Sequence, residues 1–442
     1  VSRGTRRWRT RGALGALAAV SLTSVLVVGA TGPALAAPDG NDCTGVNDVT
    51  TEKDPATARS APLQALQISQ AQNIVERVTG ARRAGAGVHV AVVDSGVDDT
   101  GITVDVGLGG KGLKYYHGTA MAGVIAGQPQ RGVGLVGIAP GATVYDARFY
   151  DTVNSEDGVT PTEARLVDAL RAMLPRVGRS EGQISIVTIA LTVDKSTPRL
   201  RAAIKAVTDK GAIVVASSGN RVSETQPQSD DDSAADDDTD YEYGEDVTKY
   251  PAGYTTSNDR VVSVGTTDPE GQATPSGLLS STIDVVVPTY GAVSYAINRS
   301  TCSFYAASTS VAAAEVSGIL ALLRAAFPKD RPEQLIARLE VTATGESASA
   351  GGAVDKYRGR GIVQPVEALT RPLRPSITGR VGPPAQRPPE VAPAALPQAE
   401  PDVLRSTRRN AVWWGLFGGG ALVVALLLRP VLSRRRTAPG RR

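Results

Sequence analysis

Three side chains in this sequence have the types and neighbours that nucleophilic catalysis needs. They are Asp94 in AVVDSG, His117 at the head of HGTAMAGVIAG, and Ser310 in STSVAAAEVSGILALL. A hydroxyl attacks a carbonyl readily only when an imidazole takes its proton. A carboxylate beside that imidazole fixes its tautomer and stabilises the ion that forms. The chain has two histidines, which narrows the choice of base. His89 lies in the apolar run VHVAVVDSG and reads as a strand residue with a satisfied ring. His117 is therefore the base. It opens a stretch to Gly127 that suits a buried helix, where Gly118, Ala120 and Gly123 leave room for close neighbours.

The elements that must position these groups alternate along the chain. Strand-like runs (VHVAVVDSG, ATVYDARFY, ISIVTIALTV, GAIVVASSGN, RVVSVGTTD, IDVVVPTY) are interleaved with helical ones, among them Thr162 to Leu174 and Pro198 to Thr208. That alternation predicts an α/β domain, a doubly wound and mostly parallel sheet with helices on both faces. In such sheets the sites form at the carboxyl ends of strands. Asp94 and Asn220 both fall at the ends of predicted strands.

The order Asp, His, Ser is itself distinctive among catalytic triads. A fourth segment, VVASSGN ending at Asn220, lies between the His and the Ser. On these motifs the chain resembles the subtilisin-like serine peptidases. The resemblance implies that Asp94, His117 and Ser310 are catalytic. It implies an oxyanion hole made by the Asn220 side chain and the Ser310 backbone N–H. It also implies a substrate cleft lined by Ala190, Leu191 and Thr192 on one side and by Ser217, Ser218 and Gly219 on the other. Some positions depart from the family pattern. Ser308 stands where a glycine is usual, and its side chain is expected to perturb the start of the helix that carries Ser310. Ala314 replaces a usual proline, with Glu315 after it. The cleft strand, usually Asn-x-Ser-x-Gly, reads Thr188, Ala190 and Thr192, and Thr192 adds bulk to the pocket wall.

The two ends read as targeting segments rather than fold. Five arginines lie between positions 3 and 11, followed by an apolar run and an A-x-A pattern at Ala34-Leu35-Ala36. Residues 1–36 are expected to be a secretory signal peptide, and Val1 to be a literal reading of an alternative bacterial start codon. Near the other end, Ala411 to Leu428 is an uncharged apolar stretch with Trp413 and Trp414 at its start and Arg429, Arg434, Arg435 and Arg436 after it. A single membrane-spanning helix over 409–430 follows, with a basic cytoplasmic tail at 431–442 and the catalytic domain outside the cell. Residues 371–408 are rich in Pro and read as a semi-rigid extended linker. That leaves an N-terminal extension at 37–60 and a peptidase domain at 61–370, large enough for a full core.

The net charge of +3 averages basic ends with an acidic insert at 224–246, so nucleic-acid binding is not indicated. Asp230 to Asp246 carries ten carboxylates and too little apolar surface for a core, so a solvated, mobile loop is expected there. A calcium site is the other reading of those carboxylates, although no EF-hand spacing is present. No Cys/His cluster suggests a transition metal, and no cofactor is called for. The two cysteines, Cys43 and Cys302, both lie in the exported part and are expected to form a disulfide.

The layout as a whole is similar to that of the mycosins, membrane-anchored subtilases associated with type VII secretion in actinobacteria. That resemblance implies protein or peptide substrates, association with components of the secretion membrane complex, and an N-terminal extension wrapped around the catalytic domain. Two functions remain open: an active serine endopeptidase, and a weakly active or inactive subtilase-like scaffold that stabilises a secretion complex.

Overall fold

The computed structural model describes residues 40–221, 245–258, 260–268, 270–272, 274, 276–344, 355, 357–381 and 405–433. The expected signal peptide, nearly all of the acidic insert, most of the expected linker (382–404) and the residues after 433 lie outside these residues.

The strands are β1 (His89–Val92), β2 (Val104–Asp105), β3 (Thr143–Asp146), β4 (Ile184–Ile189), β5 (Ile213–Ser217), β6 (Val261–Thr267), β7 (Val285–Pro288), β8 (Val293–Tyr295) and β9 (Thr301–Ser303). The helices are α1 (Ala61–Ala65), α2 (Ile68–Thr79), α3 (His117–Ala126), α4 (Glu163–Met173), α5 (Pro198–Asp209), α6 (Thr309–Ala326), α7 (Pro332–Thr342), α8 (Pro365–Thr370) and α9 (Arg405–Ser433). The first seven strands form one sheet in the order β2-β3-β1-β4-β5-β6-β7, and every pairing in it is parallel. This is the doubly wound arrangement expected. β4 and β5 are buried along their whole length, which is why they read as continuous apolar runs without alternation.

Each face of the sheet has its own core. On one side α2, α3, α6, α7 and α8 pack against Val90, Ile186, Val215 and Val264. On the other, α4 and α5 cover Ala91, Val187 and Val214. Thr162 and Thr197 start α4 and α5 by accepting the N–H groups of Arg165 and Leu200, and Pro198 adds its fixed φ at the first position of α5. α6 is apolar nearly all round because it runs through the core, with residues 309–324 all buried.

Three short strands were not legible in the sequence. β2 extends one sheet edge, and β8 pairs with β9 in a separate antiparallel hairpin. The segment from Gly40 joins this hairpin. Asp42 bridges Ser303, the Ala56 N–H bonds Thr301 O at 3.4 Å, and Cys43 is disulfide-bonded to Cys302 with Cα atoms 4.9 Å apart. The expected disulfide is thus present, and it fastens the N-terminal extension just ahead of Ser310.

The Pro-rich stretch expected to begin as linker at 371 first runs along α7. Gln334 Nε2 donates to Pro375 O at 2.8 Å, and Gly379 lies so close to Glu333 O that a Cβ there would come within 2.7 Å. The compact body accordingly includes residues up to Val381, and α9 belongs to a second unit. Within that unit α9 contains a 21-residue apolar window, Arg409–Arg429, long enough to cross a bilayer core at about 1.5 Å per residue. α6 also passes on length and apolarity, but it is buried inside the peptidase body.

Candidate active site

β1, β4 and β5 lie side by side at the centre of the sheet, and their carboxyl ends carry the candidate residues. Beyond β1, the Val93 N–H still reaches Thr188 O of β4 at 3.1 Å, and the chain then turns at Asp94. Gly96 adopts φ +101°, a conformation L side chains rarely take. This turn is met by the first turn of α3. A Cβ on Gly118 would come within 2.5 Å of Gly96 O, so only glycine allows the approach that sets His117 beside Asp94. The Gly118 N–H bonds Ser95 Oγ at 2.9 Å, and Ser95 Oγ donates to Tyr115 O at 3.2 Å.

His117 Nδ1 lies 2.9 Å from Asp94 Oδ1 and 2.8 Å from Oδ2. Asp94 is 1% exposed and His117 8% exposed, so this contact is screened little by solvent. Asp94 Oδ1 also accepts the Ser95 N–H at 2.7 Å and the Tyr150 hydroxyl at 2.9 Å. Tyr150 is fully enclosed, and burial first, then the Asp94 charge, raises its pKa well above the ordinary value. It stays a neutral donor. With Nδ1 on the carboxylate, Nε2 is the ring nitrogen available for proton transfer. Tyr115 and Tyr116 pack on the imidazole, with ring centroids 6.3 and 5.7 Å away.

Ser310 is the second residue of α6. Ser308 does not disturb the start of that helix, contrary to expectation. It is extended at φ −144° and serves as the N-cap, its Oγ accepting the Ser310 N–H at 3.2 Å. Serine is among the best capping residues, which explains why it is accommodated there. The Ser310 hydroxyl donates to Ala190 O at 2.8 Å. No hydrogen bond joins Ser310 Oγ to His117 among the described residues. Asn220 Oδ1 accepts both the N–H and the hydroxyl of Thr309, at 2.9 and 3.0 Å. Its –NH2 end is thereby left as the donor.

The cleft segments leave adjacent parallel strands at the same end of the sheet. Ala190, Leu191 and Thr192 follow β4 without pairing, and Val193 then bridges Tyr250. Ser217 ends β5, the Ser218 N–H bonds Val264 O, and Gly219 O accepts the Leu278 N–H. Between the two segments, Lys249 forms an ion pair with Asp194. Thr188, at the altered first position of the cleft strand, ties β4 to α6 by a 2.7 Å bond to Ser317 Oγ. Glu315 is fully buried, and neither carboxylate oxygen has a partner, so desolvation drives its pKa well above the usual carboxylic range. Among the described residues there is no group of three or more His, Cys, Asp or Glu side chains able to hold a metal ion. The insert carboxylates read as a calcium site lie almost wholly outside those residues.

Tyr150 and Ser95 were not singled out from the sequence. Tyr150 reaches Asp94 because the chain beyond β3 continues alongside β1, the Phe149 N–H bonding Asp94 O. A tyrosine a few residues past a parallel neighbour of the Asp94 strand is the only local signal.

A buried Asp94–His117 pair beyond β1 and a serine hydroxyl bonded just past the carboxyl end of β4, in a doubly wound parallel sheet, are the parts of a serine peptidase site. The Subtilase family pattern matches residues 85–361, and the chain belongs to that family; it is a serine endopeptidase. Within the family it is a mycosin-type member. It is 31% identical to Mycosin-1 of Mycobacterium tuberculosis over 386 residues, covering 79% of this chain and 82% of that protein. It is 25% identical to the Thermophilic serine proteinase of Bacillus sp. (strain AK1) over 289 residues, covering 62% of this chain and 60% of that protein. Among solved structures it resembles the MycP3 protease from the type VII (ESX-3) secretion system, with a TM-score of 0.55 and 26% identity over 76% of this chain and 92% of that one. It also resembles a chain of the periplasmic assembly from the ESX-5 inner membrane complex, with a TM-score of 0.52 and 25% identity over 83% of this chain and 95% of that one.

Proposed function

We propose that this protein is a membrane-anchored, extracytoplasmic endopeptidase of type VII secretion that cleaves peptide bonds with an Asp94–His117–Ser310 triad. The observation that carries the reading is the buried Asp94–His117 pair, whose carboxylate engages Nδ1 at 2.8 Å and leaves Nε2 for the nucleophile. Catalysis needs one rearrangement, the swing of the Ser310 hydroxyl from Ala190 O toward His117. Catalytic hydrogen bonds are often loose before substrate binds. His117 then takes the Ser310 proton as Oγ attacks the scissile carbonyl, and returns it to the leaving amine. The oxyanion is received by the Asn220 –NH2 group and the Ser310 N–H. The chemistry uses no cofactor.

Support for the setting comes from the mycosin relatives and from the ESX-5 inner membrane assembly, together with the apolar window of α9 and the arginines after it. The body would face the cell exterior and the basic tail the cytoplasm, with protein substrates and secretion-complex components as partners. A specific observation favours a second reading, that of a weak enzyme with a scaffold role. The Ser310 hydroxyl and its N–H are both engaged, by Ala190 and Ser308 respectively. A fluorophosphonate probe decides between them. Labelling that Ser310→Ala abolishes, with folding intact, establishes the nucleophile; labelling that survives in that variant removes the assignment. A wild-type chain that resists the probe supports the scaffold.

A further inference from the structure

Beside the turn that carries Asp94 lies a second buried carboxyl. Asp146 ends β3 opposite Val92 of β1 and is 2% exposed. Its Oδ2 accepts the Val97 N–H at 3.2 Å, while Oδ1 is buried and accepts no full hydrogen bond. The residue it grips, Val97, closes the Asp94-Ser95-Gly96-Val97 turn against which α3 begins. The loop from Val106 approaches the same carboxyl, and a Cβ on Gly109 would come within 1.9 Å of Oδ2. That loop, Val106-Gly107-Leu108-Gly109, brings no ionisable side chain. The charged or titratable groups acting on Asp146 are Asp94 across the strand pair, and Arg148 and Tyr145 on its own segment. Arg148 is itself bonded to Asp151 and to the carbonyls of Lys111 and Gly112. Among the described residues Asp146 therefore has a cation nearby but no ion-pair partner of its own.

We infer that Asp146 is a positioning residue for the Asp94–His117 pair: in its charged form it pins the Asp94–Val97 turn and adds negative potential beside it, and on protonation it releases both. This rests on the triad reading given above. Burial is the main force on the carboxyl and pushes its pKa up to about 6. The Val97 N–H and Arg148 pull it down, and Asp94 adds a smaller push upward. As pH falls through that region Asp146 protonates, its hold on the Val97 N–H weakens, and its negative potential beside the Asp94 turn is lost.

The test is a titration of the imidazole resonances in the full chain, isotopically labelled at histidine and held in detergent. His89→Asn assigns the two rings. The His117 resonances of the wild type should report the Asp146 transition as an inflection near pH 6, and this needs no variant at Asp146. In Asp146→Asn, which keeps an oxygen for the Val97 N–H, that inflection should vanish. A wild type with no inflection near pH 6, or an inflection that persists there in a folded Asp146→Asn, overturns the inference. The readout needs no turnover, so it stands apart from the peptidase reading. If Ser310→Ala shows that reading to be right, the acid limb of the probe-labelling rate should also move to lower pH in Asp146→Asn. A merely structural role would lower labelling equally at all pH values.

Discussion

Ser308 occupies one of the two donors that the proposed oxyanion hole requires, and removing its side chain should speed the enzyme. In the resting site the Ser310 N–H is held by Ser308 Oγ at 3.2 Å. To serve an oxyanion it must exchange that bond for one to the substrate oxygen. A neutral hydrogen bond of this kind is worth about 1 kcal/mol net, so the exchange withholds roughly a fivefold rate advantage. Ser308→Gly removes the competitor and costs only a few tenths of a kcal/mol as an N-cap. Ser308→Ala removes it too, but sacrifices about 1 kcal/mol of helix capping. On a peptide substrate, kcat should therefore rise by about fivefold in both variants. Melting temperature should be nearly unchanged for glycine and lower by about 2 °C for alanine. If both folded variants are slower than wild type, the hydroxyl is itself aiding the oxyanion, and the competition argument is refuted.

Asn220→Ala should still be labelled at Ser310 but should turn over about a hundredfold or more slowly, since one oxyanion donor is lost; an unchanged rate would place the donor elsewhere. Glu315 has no partner for either oxygen, so Glu315→Met should stabilise the protein at pH 7 by about 1–3 kcal/mol, read as a raised denaturant midpoint. Its folded pKa lies well above the ordinary 4.5, so its stabilising contribution is fully present below pH 4.5 and declines as pH rises toward the folded value, by up to about 1.4 kcal/mol per pH unit. Glu315→Gln should flatten that decline, and an identical pH dependence in the two proteins would show that an unseen partner holds the charge. Replacing Cys43 and Cys302 with alanine should lower stability by up to about 5 kcal/mol, the chain-entropy limit for so long a loop. A non-reduced digest of the native protein should yield their two peptides linked, and free thiols would contradict the pairing.

The Asp94, His117, Ser310 and Asn220 segments could be read from the sequence because each is a short local pattern whose order is informative. The strands β1 and β3–β7 were visible for a related reason: burial on both faces demands apolar residues without interruption. What could not be read depends on register between distant segments. Tyr150 belongs to the site only because the chain beyond β3 runs beside Asp94, and Asp146 grips Val97 by the same pairing. Ser308 looked like a steric fault, since its value as a cap depends on the extended backbone it adopts. The hairpin of β8 and β9 is short and defined largely by what packs on it. Residues 374–381 share the composition of the linker, so only the contact with α7 shows where the body ends.

The link between Cys43 and Cys302 also bears on the order in which the molecule can be completed. Synthesis proceeds from the amino end, so Cys43 precedes its partner by 259 positions. Throughout that interval the segment around Asn41 and Asp54 has no hairpin to lie on, because β8 and β9 do not yet exist. The clasp closes on nearly the same stretch of chain that delivers Ser310, only eight positions after Cys302 by their numbering. The proposed nucleophile and the fastening of the N-terminal strap therefore arrive together. A chain stopped before that point has neither.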